Sequence, residues 1–309
     1  MLWCKYSSIE VFAFRAFRFE FQAQGPVFFP RGMAGNIFRG AFGQIFRRIC
    51  EGQADDLYAR IFAPQSVNGP SGFADAPRLF VLRPRDLEGH RFRPGDKFRL
   101  DVHFFDLDEG LLTHFILAFL QFAREGLGPG RVPVELITVW ALMLERQPGE
   151  IVWSRTDDHS GILPAPLAID LHPTGGPTIE RLRVEFRTPT ELKSEGSIRT
   201  VPEFAVLFRR VRDRISTLAS LYGQPLHFDF KALGEHAKTV WLTDSQLQWE
   251  QVQRRSSRTG QQHSLAGFVG WAEYEGELSE FVPWLQAGYW SGVGRQTVWG
   301  KGEIAVLEC

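Results

Sequence analysis

The chain has 309 residues, enough for two domains of the usual size, and 44% of them are hydrophobic, enough to fill two cores. With 35 Lys and Arg against 36 Asp and Glu the net charge is near zero, so the overall balance carries no signature of a nucleic-acid-binding protein. Three widely spaced cysteines, Cys4, Cys50 and Cys309, supply neither a disulfide framework nor a zinc quartet, and no segment reaches the roughly 18 apolar residues of a membrane span. A reducing cytoplasm is the expected setting.

In chain order, Phe17, Phe19 and Phe21 alternate with polar residues as a half-buried strand. Gly35 and Asn36 are placed to cap a helix whose expected buried stripe is Ile37, Ala41, Ile45 and Ile49. Strands are expected at 79–82 and 98–104, a helix at 111–124 stopped by Gly126, and a strand at 132–142. A stretch rich in Pro, Gly and Asp, 147–177, reads as a linker between domains spanning 1–146 and 178–309. Beyond it the same order recurs. Leu182, Val184 and Phe186 mark a strand, and Phe204, Phe208, Val211, Ile215 and Leu218 a helix. Strands at 239–252 and 265–274, a helix at 278–289 and a closing strand at 304–307 follow. Two consecutive β-α-β-β-α-β units predict an α+β protein of two tandem ferredoxin-like domains.

The connection between the last helix and last strand holds Gly292, Gly294, Gly300 and Gly302 together with Arg295 and Lys301, and no acid. Glycines let successive N–H groups turn toward an anion while the two cations supply charge. A nucleotide loop follows a strand and opens a helix; this one follows a helix and opens a strand, which excludes the dinucleotide and nucleoside triphosphate motifs. A tight helix-to-strand connection is the competing explanation of the glycines. Three tracts contain no acid: 21–50 with Arg31, Arg39, Arg47 and Arg48; 251–271 with Arg254, Arg255, Arg258 and His263; and 281–302. In a neutral chain they suggest a one-sided basic surface of the kind a phosphate backbone selects, although any one alone is ordinary clustering.

The residues Gly35-Asn-Ile-Phe-Arg39-Gly40-Ala-Phe-Gly43, then Leu57-Tyr58-Ala-Arg-Ile-Phe62, then Val184-Glu-Phe-Arg-Thr188-Pro189 occur in an order that resembles a known family. To these the C-terminal part adds Ser257-Arg258, Leu265-Ala-Gly267-Phe-Val-Gly270, Phe281-Val-Pro-Trp-Leu285 and the glycine-rich loop. The resemblance is to the CRISPR-associated endoribonucleases of the RAMP superfamily that process precursor crRNA. It implies an RNA-binding enzyme without metal or other cofactor. Its partner would be CRISPR repeat RNA, cut when a 2′-hydroxyl attacks the adjacent phosphorus to leave a 2′,3′-cyclic phosphate and a 5′-hydroxyl. It also implies an alternative, a non-catalytic subunit that holds crRNA among other effector subunits.

The chain departs from the family in one respect. Many members carry a histidine in or beside the first helix, whereas the first histidine here is His90. The catalytic candidates are therefore His263, in an acid-free tract, with Arg39 and Arg31 to neutralise a scissile phosphate. Arg39 and Arg47, eight residues apart with Gly43 between, lie on one helical ridge. Tyr58, His236 and Lys238 are weaker alternatives. Arg47, Arg48, Arg254, Arg255, Arg258 and the loop from Gly292 to Gly302 are expected to bind RNA, with Trp299 as a stacking platform or as core. A protein-interaction module built on a Phe-rich surface is a third reading; the 27 phenylalanines suggest it. No helix-turn-helix spacing is present.

Overall fold

The computed structural model describes residues 10–51, 55–62, 76–128, 130–156, 162–173, 175–251, 253–255 and 262–308. The first domain runs through β1 (Val11–Ala23), the short β2 (Val27–Phe28), α1 (Ala34–Cys50) and α2 (Asp55–Phe62). It continues with β3 (Phe80–Arg83), the short β4 (Arg91–Phe92), β5 (Lys97–Phe104), α3 (Gly110–Glu125) and β6 (Val134–Leu142). Two more strands, β7 (Pro148–Ser154) and β8 (Leu167–Asp170), follow. The sheet order β3-β5-β1-β6-β7, antiparallel throughout, is the ferredoxin-like arrangement with one added edge strand.

The second domain contains β9 (Arg181–Thr190), the hairpin β10 (Leu192–Ser194) and β11 (Ser197–Arg199), α4 (Phe204–Tyr222) and α5 (Phe230–His236). Then come β12 (Trp241–Glu250), β13 (Gln253–Arg255), β14 (Gln262–Ser264), β15 (Gly267–Glu275), α6 (Val282–Ser291) and β16 (Ile304–Glu308). Its sheet order, β12-β15-β9-β16, repeats that of the first domain. The chain is two tandem ferredoxin-like domains.

β1 explains how the two domains share one body. Its alternation places Phe17, Phe19 and Phe21 in the core under α1 and α3, whereas Phe12, Phe14 and Ala16 point the other way, into the core that holds α4 and α6. One 13-residue strand thus contributes to both hydrophobic clusters. Each fully buried Phe adds roughly 1.5–3 kcal/mol of hydrophobic stabilisation.

Several expectations are corrected. The buried stripe of α1 is Phe38, Phe42, Ile45, Phe46 and Cys50, while Ile37, Ala41 and Ile49 are only partly buried. The larger aromatic rings take the centre, Phe38 stacking on Phe29 and Phe122 at 5.7 and 5.5 Å. The helix begins at Ala34, so Gly35 and Asn36 lie inside it and cap nothing. Within 147–177 the chain is not a bare connection: β7 pairs with β6, and β8 pairs with the first four residues of β1, Val11 to Phe14. Backbone pairing overrides the Pro and Gly content there. The phenylalanines form core rather than surface, Phe28 being the one exposed Phe among the described residues. Cys50 is buried, and Cys4 and Cys309 fall outside the described residues. Among the described residues no helix is long and apolar enough to cross a membrane.

Candidate nucleic-acid interface

The site is built outward from the C-terminus of α6. A helix end leaves carbonyls without intrahelical partners and carries the negative end of the dipole, so buried cations suit it. Here Arg83 from β3 donates to the carbonyls of Tyr289 and Trp290, and Arg214 of α4 donates through Nε to Ser291 O at 2.7 Å. His103 of β5, fully buried, places Nδ1 2.9 Å from Trp290 O. Burial, reinforced by the Arg83 charge, pushes the His103 pKa down to about 3, so the ring is neutral and its Nδ1–H is the donor. Burial, then Arg83, brings Arg214 to about 9, which leaves it charged at neutral pH. Arg83 and His103 thereby fix the end of α6 against the first domain, while Arg214 ties it to α4 of its own domain.

The loop leaves at Gly292 and folds back on itself, Val293 N–H donating to Gly302 O at 2.8 Å. Gly302 N–H donates to Pro189 O at 3.1 Å, Glu303 N–H to Thr188 Oγ1 at 2.9 Å, and Arg295 pairs with Glu191 at 2.7 Å. All of these anchors lie on the end of β9 and the residue after it. The 3-10 turn Thr297–Trp299 then meets the first domain. A Cβ on Gly35 would collide with the Trp299 carbonyl, and one on Gly300, at φ 79°, with the Pro84 ring. The close approach of two backbones accounts for glycine at both ends of this contact. Gly292 and Gly294 likewise have φ above 0 and face Thr297 and the Glu191 carbonyl. The tight-connection reading of the glycines therefore describes their packing.

What the loop brings together is a set of basic side chains around the start of α1. The Arg39 guanidinium lies over both the Phe62 ring and the Trp299 ring, at 4.8 and 4.9 Å from their centroids. Gly43, one turn on, makes room for Arg39 and Phe62 side by side. Arg47 continues the same ridge over the Tyr58 ring at 5.9 Å, and lies 4.0 Å from Glu51. Arg31 is exposed at the entry to the helix, its stem against Gly89, with no ion-pair partner among the described residues.

Lys301 is 5% exposed. Burial lowers its pKa, opposed by the charges of Glu88 and Glu250. Glu88 accepts hydrogen bonds from the Met33 and Ala34 N–H groups at 3.1 and 3.5 Å, and burial raises its pKa. The first N–H groups of α1 are therefore already capped by a carboxylate that faces Lys301.

The remaining expected residues fall elsewhere. Arg48 points away, to Glu125 of α3. Arg254 and Arg255 lie on β13 and His263 on β14, with Arg254 opposite His263; their side chains, like Arg258 as a whole, lie outside the described residues. The two strands continue from Glu250 and Gly267, and Gly267 packs on Pro189 and Thr190, beside the loop anchor. His236 bonds to Glu280 and Lys238 to Glu235, both remote from the loop. One residue passed over in the sequence is His90. Phe29 N–H donates to His90 O at 3.0 Å and Gly89 N–H to Phe29 O at 2.7 Å, which pairs this exposed histidine with Phe29, two residues before Arg31 in the chain. Only the pairing of β2 with β4 brings it there.

A ferredoxin-like pair whose terminal loop is clamped between a buried helix end and the first helix of the other domain defines a tandem RAMP-type architecture. Residues 184–304 match the family of CRISPR-associated endoribonucleases Cas6, and residues 12–165 match an N-terminal domain family designated AF_1859. The second domain is thus similar to the Cas6 family of CRISPR-associated endoribonucleases. A product complex of Thermus thermophilus Cas6 is similar over 96% of this chain and 100% of that one, at 20% identity and a TM-score of 0.58. The same Thermus protein in a second structure gives 19% identity and a TM-score of 0.56, over 96% of this chain and 98% of that one. A chain of a partial Cas6-RT-Cas1–Cas2 complex shares 12% identity at a TM-score of 0.56, over 96% of this chain and 46% of that one. No curated protein matches the chain.

Proposed function

We infer that the chain binds CRISPR repeat RNA and cuts precursor crRNA within each repeat. The reaction is in-line attack of a ribose 2′-hydroxyl on the adjacent phosphorus, releasing the 5′-oxygen of the next nucleotide and leaving a 2′,3′-cyclic phosphate. The observation that supports this reading is the docking of the glycine-rich loop on the start of α1, where Trp299 of one domain meets Arg39 of the other, on the helix that Arg31 precedes. Such a reaction needs a base at the 2′-oxygen, a proton donor to the leaving oxygen and positive charge around the phosphorane; side chains can supply all three without a metal ion.

In this proposal Arg31, exposed and without an ion-pair partner among the described residues, binds the scissile phosphate, and Arg39 stabilises the phosphorane from its aromatic slot. His263, on the strand pair that follows Glu250 and precedes Gly267, is the proposed base. His90 is the second reading, favoured by its backbone pairing with Phe29 and by the contact of the neighbouring Gly89 with Arg31. Repeat RNA carrying a single 2′-deoxy substitution at each position in turn, incubated in EDTA, tests the chemistry. Cleavage at one bond, abolished by one 2′-deoxy, is expected, with His263→Ala and His90→Ala separating the two bases. Tight, salt-sensitive binding with no cleavage would instead make the chain a crRNA-holding subunit.

A further inference from the structure

α1 has a second working face. Opposite the ridge that meets the loop, Ile45, Ile49, Leu117 and Leu120 from α1 and α3 floor an open groove of about 500 Å³. The positions follow helical spacing, 117, 120, 121 and 124 on one wall and 45, 48 and 49 on the other, so the groove runs along both helices. Leu117 is 48% exposed, which leaves apolar surface in water at its centre. The surroundings are basic. Arg48, Arg124 and Arg131 stand near this face against Glu51 and Glu125, three cations to two acids. Glu125 already holds Arg48 and Gln121. Arg124 and Arg131 are exposed and have no ion-pair partner among the described residues.

We propose that this groove docks an amphipathic helix of a partner protein, with an apolar ridge over Leu117 and Ile49 and acidic residues facing Arg124 and Arg131. Charge decides among the possible occupants. A second copy related by a two-fold axis would set these arginines against themselves. A phosphate backbone would gain the arginines but leave the apolar floor uncovered, whereas an apolar ridge flanked by acids satisfies both. Because α1 also carries Arg39, the partner would sit on the reverse side of the helix that meets the proposed RNA site.

The probe is a fluorescein-labelled helical peptide of 18 residues with leucines at i, i+3, i+4 and i+7 and glutamates on the flanks, with a lysine-flanked twin as control. Fluorescence anisotropy with the full chain is expected to show the acidic peptide binding at least tenfold more tightly than its twin. Leu117→Glu should weaken that binding at least tenfold, and Arg124→Glu should narrow the preference, with RNA cleavage unchanged in both. Both substitutions are at exposed positions, and unchanged thermal unfolding verifies the fold. Equal binding of the two peptides, binding of neither, or no effect of Leu117→Glu would overturn the proposal. So would concentration-dependent dimerisation abolished by Leu117→Glu, or loss of RNA affinity in Arg124→Glu with peptide binding intact.

Discussion

Two arginine–tryptophan stacks in this molecule look alike and sit in different settings. On the open face of the second sheet Arg183 lies 4.1 Å from the Trp271 centroid and is tied to Glu273, with the Arg181–Glu275 and Arg187–Glu185 pairs on either side. At the domain junction Arg39 lies between Trp299 and Phe62, next to a helix entry where Arg31 is exposed and Lys301 is buried. The first stack belongs to a sheet surface of matched ion pairs within one domain; the second lies where two domains meet, with Glu88 facing Lys301, Glu191 holding Arg295 and Arg31 without an ion-pair partner among the described residues. Neither the residue pair nor the stacking distance distinguishes them. The meeting of two domains does.

The comparison breaks most severely if the clamp behind the loop is removed. Arg83→Ala strips donors from the Tyr289 and Trp290 carbonyls in a buried setting and should cost on the order of 3 kcal/mol in urea unfolding and weaken repeat-RNA binding. Gly300→Ala puts a Cβ against Pro84 at a positive φ; roughly 2 kcal/mol of stability should be lost, together with most cleavage, as the loop leaves α1.

Acid titration sharpens the same point. His103, held near 3 in the folded chain against about 6.5 when unfolded, favours folding above the unfolded value. As pH falls from about 6.5 toward 3 the unfolded chain takes the proton first, so stability should decline by up to ~1.4 kcal/mol per pH unit. His103→Gln should remove that part of the slope, measured as the difference between the two unfolding curves. The smallest effects separate the two stacks directly. Arg39→Ala should weaken repeat-RNA binding about tenfold, or ~1.4 kcal/mol, and Arg183→Ala should leave it within about twofold.

The doubly repeated β-α-β-β-α-β order was readable because each main element carries its own period, from Phe17, Phe19 and Phe21 to the α4 stripe of Phe204, Phe208, Val211 and Ile215. The α1 stripe was misassigned because isoleucine and phenylalanine register on the same helix satisfy the period almost equally, and only packing against Phe115, Phe119 and Phe122 selects the rings. β7 and β8 escaped notice because their stability comes from partners in β6 and β1, not from local propensity. At the site, the loop was recognisable from its glycines, but the requirement for glycine at Gly35 arises from a carbonyl 264 residues away and has no local signature. The pairing of His90 with Phe29 likewise depends on β2 meeting β4 and has no local signature.

The central claim is that repeat RNA is held where the glycine-rich loop meets α1. Repeat RNA with 4-thiouridine beside the cleaved bond, photo-crosslinked to the chain and mapped by mass spectrometry, tests it directly. Crosslinks in 31–39 or 295–302 are the predicted result; crosslinks confined to the open face of the second sheet, around Arg183 and Trp271, would contradict it.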